Sequence, residues 1–189
     1  MILNMKQIIL IRHAKVDIPS SKKMDSVSLK DWVEAYDKAE IDASSLPEQM
    51  TKELVSNADV LITSSLKRAI DSAKVLGTEI YERNAVFDEA KIPDVNIPFL
   101  KFKPKRWLLI VRVLSLFGFG KENTSLNASK QQAKEGRERL LELSSDHDTV
   151  VLVGHGGMNW LLRKALMKKG WALAEDPCNK NWGVTILTV

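Results

Sequence analysis

Four short runs dominated by apolar, β-branched residues are spread along this chain, at 7–11, 59–63, 149–153 and 185–189. Segments this short and this apolar read as strands covered on both faces, the condition of a mostly parallel sheet sandwiched by helices. A further short strand is expected at 79–83. Helical periodicity fills the spaces between. Leu66, Ala69, Ile70, Ala73 and Leu76 fall on one helix face, with Ser64 and Ser65 available as caps and Gly77 as the stop. Met158, Leu161, Leu162, Ala165 and Leu166 repeat the pattern before Gly170. Ser129-x-x-Gln132 has the form of a capping box opening a helix that runs to about residue 144. Shorter helices are expected at 29–41 and 47–57.

Strands alternating with helices predict a three-layer α/β sandwich with a mostly parallel central sheet. The 189 residues suit a single domain spanning 1–189. Residues 90–128 break the alternation and read as a lid insertion near the site. Within them, 95–121 contain Lys101, Lys103, Lys105, Arg106, Arg112 and Lys121 and no acidic residue, alongside Phe99, Trp107, Phe117 and Phe119. Three roles stand open for this stretch besides packing on the core. It could cover a substrate, form a homodimer face, or touch an anionic membrane surface.

Composition narrows the function classes. With 44% hydrophobic and 28% charged residues the chain has the balance of a soluble globular protein. Cys178 stands alone, so no intrachain disulfide ties the fold to an oxidising compartment. Residues 1–6 are too short and too weakly apolar for a signal peptide, and no run of ~18 apolar residues reads as a spanning helix. A cytoplasmic location is expected. The net charge of +4 suits an acidic small substrate. No recognised nucleic-acid module is present, and nucleic acid is not an expected partner. The three histidines lack metal-ligand spacing, so no metal site is expected. His147, in a polar loop, is expected to be solvated.

The remaining two histidines carry the chemistry. His13 follows the first strand beside Arg12, and His155 follows the third between Gly154 and Gly156-Gly157. Ser64-Ser65 and then Arg68 follow the second. In a parallel sheet these carboxyl ends converge on one edge. Arg12 and Arg68 can offer planar, permanently charged forks to phosphate oxygens. A neutral imidazole can attack phosphorus and carry the group covalently. His13 is the candidate nucleophile and His155 a donor to the transferring oxygens. A leaving alcohol needs a proton, for which Glu89 is the favoured source and Asp88 the reserve.

The set Leu10-Ile11-Arg12-His13-Ala14, Thr63-Ser64-Ser65-Leu66-Lys67-Arg68-Ala69, Glu89 and Val153-Gly154-His155-Gly156-Gly157 resembles the histidine phosphatase, or phosphoglycerate mutase-like, superfamily. The resemblance implies that His13 is the phosphorylated histidine, that Arg12, Arg68 and His155 bind phosphate, that Glu89 is the general acid, and that no cofactor is needed. Two positions depart from the family pattern. Ala14 stands where glycine is usual, and Pro19 where mutases and many sugar phosphatases have asparagine. Pro19 weighs toward hydrolysis of a phosphorylated small molecule. The alternatives are a phosphoryl mutase, a phosphohistidine-protein phosphatase, and a phospholigand-binding protein with weak catalysis.

Overall fold

The computed structural model describes residues 5–90, 96–97, 99–116 and 126–189. Phe117, Phe119 and Lys121 of the basic stretch lie outside the described residues. Six strands form one sheet in the order β3-β2-β4-β1-β6-β5: β1 Gln7–Arg12, β2 Val60–Thr63, β3 Ile80–Arg83, β4 Thr149–Gly154, β5 Ala172–Leu173 and β6 Val184–Thr188. β3, β2, β4 and β1 run parallel, and β6 and β5 add antiparallel pairs at one edge. β5 has only two residues, too few to show an alternation in sequence.

The continuous apolar runs resolve into two faces because successive strand residues point oppositely. Ile8, Leu10, Val150 and Leu152 face a layer built by α5 (Leu126–Asp146) and α6 (Gly156–Met167), with Leu140, Met158 and Leu162. Ile9, Ile11, Val151 and Val153 face α2 (Gln49–Ser56) and α3 (Lys67–Leu76), with Val55, Ala69 and Ala73. The four aliphatics of β1 are essentially inaccessible to water. Burying each stabilises the fold by about 1.5–3 kcal/mol before conformational entropy is set against it. A smaller cluster of Leu29, Trp107 and Val111 joins α1 (Ser26–Lys38) to α4 (Pro104–Leu116). The Trp107 indole N–H donates to the Met24 carbonyl at 2.7 Å and fixes that contact.

Helix boundaries differ from expectation in three places. α5 begins at Leu126, upstream of the expected box, and Ser129 is buried inside it. Gln132 does not reach back to Ser129, because its amide donates to the carbonyls of Val86 and Asp88. α3 has Leu66 at its N-cap with no side-chain cap, since Ser64 and Ser65 are turned toward other partners. α1 starts at Ser26, where Asp25 caps it by accepting from the Ser28 N–H at 2.8 Å. Gly77 ends α3 as expected, with φ +80°. His147 is half-buried and meets Tyr81 edge to face, so it is not the freely solvated residue its polar neighbours suggest.

Candidate active site

The sheet register assembles the site. Arg12 is level with Gly154, and Thr63 with Val153, so the three strands end together. The next residues, His13, His155 and Ser64, are all buried at that edge. The His13 and His155 rings lie 5.2 Å apart between centroids, tilted by 55°. Gly156 packs against the Arg12 side chain, and an added Cβ would meet its Nε at 3.4 Å, an ordinary contact distance. A Cβ at Gly157 would run into the Glu89 carboxylate.

Both imidazoles are held neutral. Burial first, then the nearby Arg68 guanidinium, push His13 down to about 3 from 6.5; the Ala14 carbonyl acts in the raising direction, and Arg12 adds the smallest lowering. His155 is lowered in the same direction, by burial first and then by Arg68, His13 and Arg12. The tautomer of His13 follows from its hydrogen bond. His13 Nδ1 lies 2.6 Å from the Ala14 carbonyl oxygen, which can only accept. The proton is therefore on Nδ1, and Nε2 keeps its lone pair. Ser64 Oγ accepts from the Leu66 N–H at 3.3 Å and lies 2.7 Å from His155 Nε2. When Ser64 donates across that contact the His155 proton sits on Nδ1, and when Ser64 accepts it sits on Nε2.

Three buried nitrogens in this group have no partner among the described residues: His155 Nδ1, Arg12 Nε and Arg68 Nε. Unpaired buried polar atoms are costly, and an anion is one kind of ligand that satisfies such donors. Arg68 is otherwise fixed by Asp37, which accepts from Nη1 at 2.6 Å, and by the Tyr36 ring 4.9 Å from its guanidinium carbon. Arg12 Nη1 donates to the Asn179 carbonyl at 2.7 Å. Among the described residues no group of three His, Cys, Asp or Glu could hold a metal ion.

No protein-family model and no curated protein matches the sequence. Solved structures do. A mycobacterial glucosyl-3-phosphoglycerate phosphatase shares 18% identity over 97% of this chain and 90% of its own, with a TM-score of 0.60. A phosphoserine phosphatase from Entamoeba histolytica, a histidine-to-alanine mutant in complex with phosphoserine, shares 18% over 97% of this chain and 93% of its own, with a TM-score of 0.58. The Entamoeba histolytica phosphoserine phosphatase in complex with 3-phosphoglyceric acid gives 17% identity, 95% and 89% coverage, and a TM-score of 0.56. This chain has the histidine phosphatase fold.

Within the histidine phosphatase fold the two candidate acids are placed differently. Asp88 accepts from both the N–H and the hydroxyl of Ser65, at 2.8 and 2.7 Å, and so ties down the loop after β2. Glu89 reaches the first turn of α6, accepting from Gly157 N–H at 3.2 Å and Met158 N–H at 3.0 Å, and from Arg112 of α4 at 3.3 Å. His155 is the N-cap of the same helix, so Glu89 and His155 meet at one helix end. Sequence reasoning did not single out Tyr36, Asp37 or Ser72, nor Asn179 and Asn181 before β6. Nothing in their local pattern marks them.

The depressed histidines set a pH signature. Below 6.5 the unfolded chain takes up protons that the buried rings refuse, so folding stability falls as pH drops from about 6.5 toward 3. In urea unfolding between pH 6 and 4, His13→Asn should reduce that slope by roughly 1.4 kcal/mol per pH unit. In the wild type, the His13 ring resonances should stay flat from pH 8 to 5. A ring that titrates near 6.5 would contradict the burial described here.

Proposed function

We propose that this protein is a phosphomonoester hydrolase that passes the phosphoryl group through His13. The observation that supports it is a neutral, oriented imidazole beside a second neutral histidine and two arginines, with Arg12 Nε, Arg68 Nε and His155 Nδ1 buried and without a partner among the described residues. The substrate phosphate docks on Arg12, Arg68 and His155. His13 Nε2 attacks phosphorus in line, the N–P bond forms and the ester P–O bond breaks. Glu89 gives its proton to the leaving oxygen. Water then attacks phospho-His13, inorganic phosphate leaves, and Glu89 takes back a proton.

Trapping the phosphoenzyme tests this reading. With para-nitrophenyl phosphate the wild type should release phosphate and accumulate an acid-labile phosphoprotein. His13→Ala should lose both. His155→Ala should fall by at least ~10²-fold, the usual cost of losing an oxyanion-type donor. Undiminished turnover in His13→Ala would remove the mechanism.

Glu89→Gln separates the two acids. An acid matters most when the leaving group is poor. Hydrolysis of alkyl phosphates should therefore drop by ~10²-fold or more, while aryl phosphates with acidic phenols change far less. Equal losses on both substrates would transfer the role to Asp88 or another acid.

The outward face of α4 supports a lid for an anionic small molecule. Lys105, Arg106, Leu109, Arg112 and Val113 are exposed together, and Arg112 adjoins Glu89. Phe99, Lys101 and Lys103 continue the same chemistry upstream. Replacing Lys101, Lys103, Lys105 and Arg106 by Gln should lower kcat/KM about tenfold for the best substrate in a panel of carboxylated phosphate esters. Para-nitrophenyl phosphate should be unaffected, and added salt should mimic the substitutions. A changed sedimentation mass with unchanged kcat/KM would assign this face to a second copy of the chain. Loss of binding to phosphatidylserine vesicles alone would assign it to a membrane surface.

A further inference from the structure

The backbone around His13 is fully accounted for, and the accounting is uneven. Arg12 N–H donates to the Gly183 carbonyl at 3.1 Å, and the Arg12 carbonyl accepts from Trp182 N–H at 3.0 Å. His13 N–H donates to the Gly154 carbonyl at 3.0 Å. The Ala14 carbonyl accepts from the His13 ring. These four bonds use backbone or the nucleophile itself. The two that remain use other side chains: the His13 carbonyl accepts from Asn181 Nδ2 at 2.9 Å, and Ala14 N–H donates to Ser72 Oγ at 2.8 Å. The His13 carbonyl and the Ala14 N–H are opposite poles of one peptide unit. That planar unit is gripped at both ends, by α3 and by the segment before β6.

Each grip has a defined polarity. The Ser72 hydroxyl gives its own proton to the Arg68 carbonyl at 2.6 Å, so toward Ala14 it can only accept. Ser72 is completely buried, and no water can replace it without rearrangement. Asn181 stands on a segment with little freedom. Its neighbour Trp182 is buried, adopts φ +60°, and donates its indole N–H to the Ser45 carbonyl at 2.9 Å. Gly183 has no room for a side chain, since a Cβ there would lie 2.8 Å from the Lys180 carbonyl oxygen.

From this we infer that Ser72 and Asn181 are positioning residues that clamp the His13–Ala14 peptide and thereby select the nucleophilic tautomer of His13. The clamped plane carries the Ala14 Cα, from which the carbonyl that accepts from Nδ1 projects. A tilt of the plane withdraws that acceptor. The ring is then free to move its proton to Nε2, the nitrogen that must attack. The clamp also binds the nucleophile to the helix carrying Arg68, so ring and phosphate pocket keep one spacing. Displacements of about 1 Å in such an arrangement cost about 10²-fold in rate.

The kinetic half of the inference rests on the proposed phosphohistidine chemistry, and the tautomer half does not. The test uses the full chain labelled with ¹⁵N-histidine, as wild type, Ser72→Ala and Asn181→Asp. The Asp variant is close to isosteric and puts an acceptor where the donor was. In the wild type, His13 should read as the Nδ1–H tautomer. In both variants the Nε2–H form should gain population. The rate of phosphoenzyme formation from para-nitrophenyl phosphate should fall about 10²-fold. The inhibition constant for inorganic phosphate, which reads the pocket, should stay within about threefold. An unchanged tautomer in the variants overturns the clamp, whatever the activity. Equal loss of phosphate binding and rate also overturns it, because the residues would then be general supports of the pocket. A tautomer shift in a protein with no wild-type phosphatase activity would retain the clamp and remove the proposed function. If Ser72→Ala does not fold, Asn181→Asp on the half-buried segment decides the question.

Discussion

The site depends on the parallel pairing of β1 with β4. That pairing sets Arg12 level with Gly154, and so brings His13 and His155 together although 141 residues of chain lie between them. A shift by one residue would turn Ile8 and Leu10 from one core face to the other and carry His13 with them. The two apolar layers on β1 and β4 therefore do more than hold the sheet together. They fix the register, and the register fixes the distance between the rings.

That same packing sets the electrostatics. Two imidazoles and the Arg68 guanidinium are withdrawn from water within one group. Burial first, and then the positive charge of Arg68, holds both histidines neutral. Neutral rings are what nucleophilic attack requires, and the fixed positive charge is what a phosphate requires. Asp37 balances part of that charge, from a helix otherwise engaged with α4. The pairing of α1 with α4 thus reaches the site twice, through Asp37 and Tyr36 on Arg68, and through Arg112 on Glu89. The exposed Arg112–Glu89 pair adds little stability in water. Its interest lies in joining the basic helix to the candidate acid.

Much of the architecture was legible in the chain. The apolar runs marked the strands, and steps of three and four marked the helices, because solvent exposure imposes those periods locally. Gly77 announced the end of α3 for an equally local reason, its left-handed backbone. What failed was also local reasoning applied where a distant partner won. Ser129 and Gln132 had the spacing of a capping box, yet Gln132 is engaged by Val86 and Asp88. The run containing β6 gave no sign that it would pair antiparallel with β1, because direction is set by the path of the chain after α6.

For the site, the sequence by itself determined which residues stand at the strand ends: Arg12 and His13, Ser64 and Arg68, His155 among its glycines. It also marked Glu89 and Asp88 as alternatives without separating their surroundings. Only the tertiary structure decided that Asp88 is occupied by Ser65 while Glu89 lies on the N-terminal turn of α6. Only the structure showed Ser72 and Asn181 at the two ends of the His13–Ala14 peptide, from 58 and 168 positions away. The reason is physical. Periodicity and strand-end chemistry are written in neighbouring residues, whereas tautomer, protonation and hydrogen-bond partner are properties of an enclosed volume that no stretch of sequence contains.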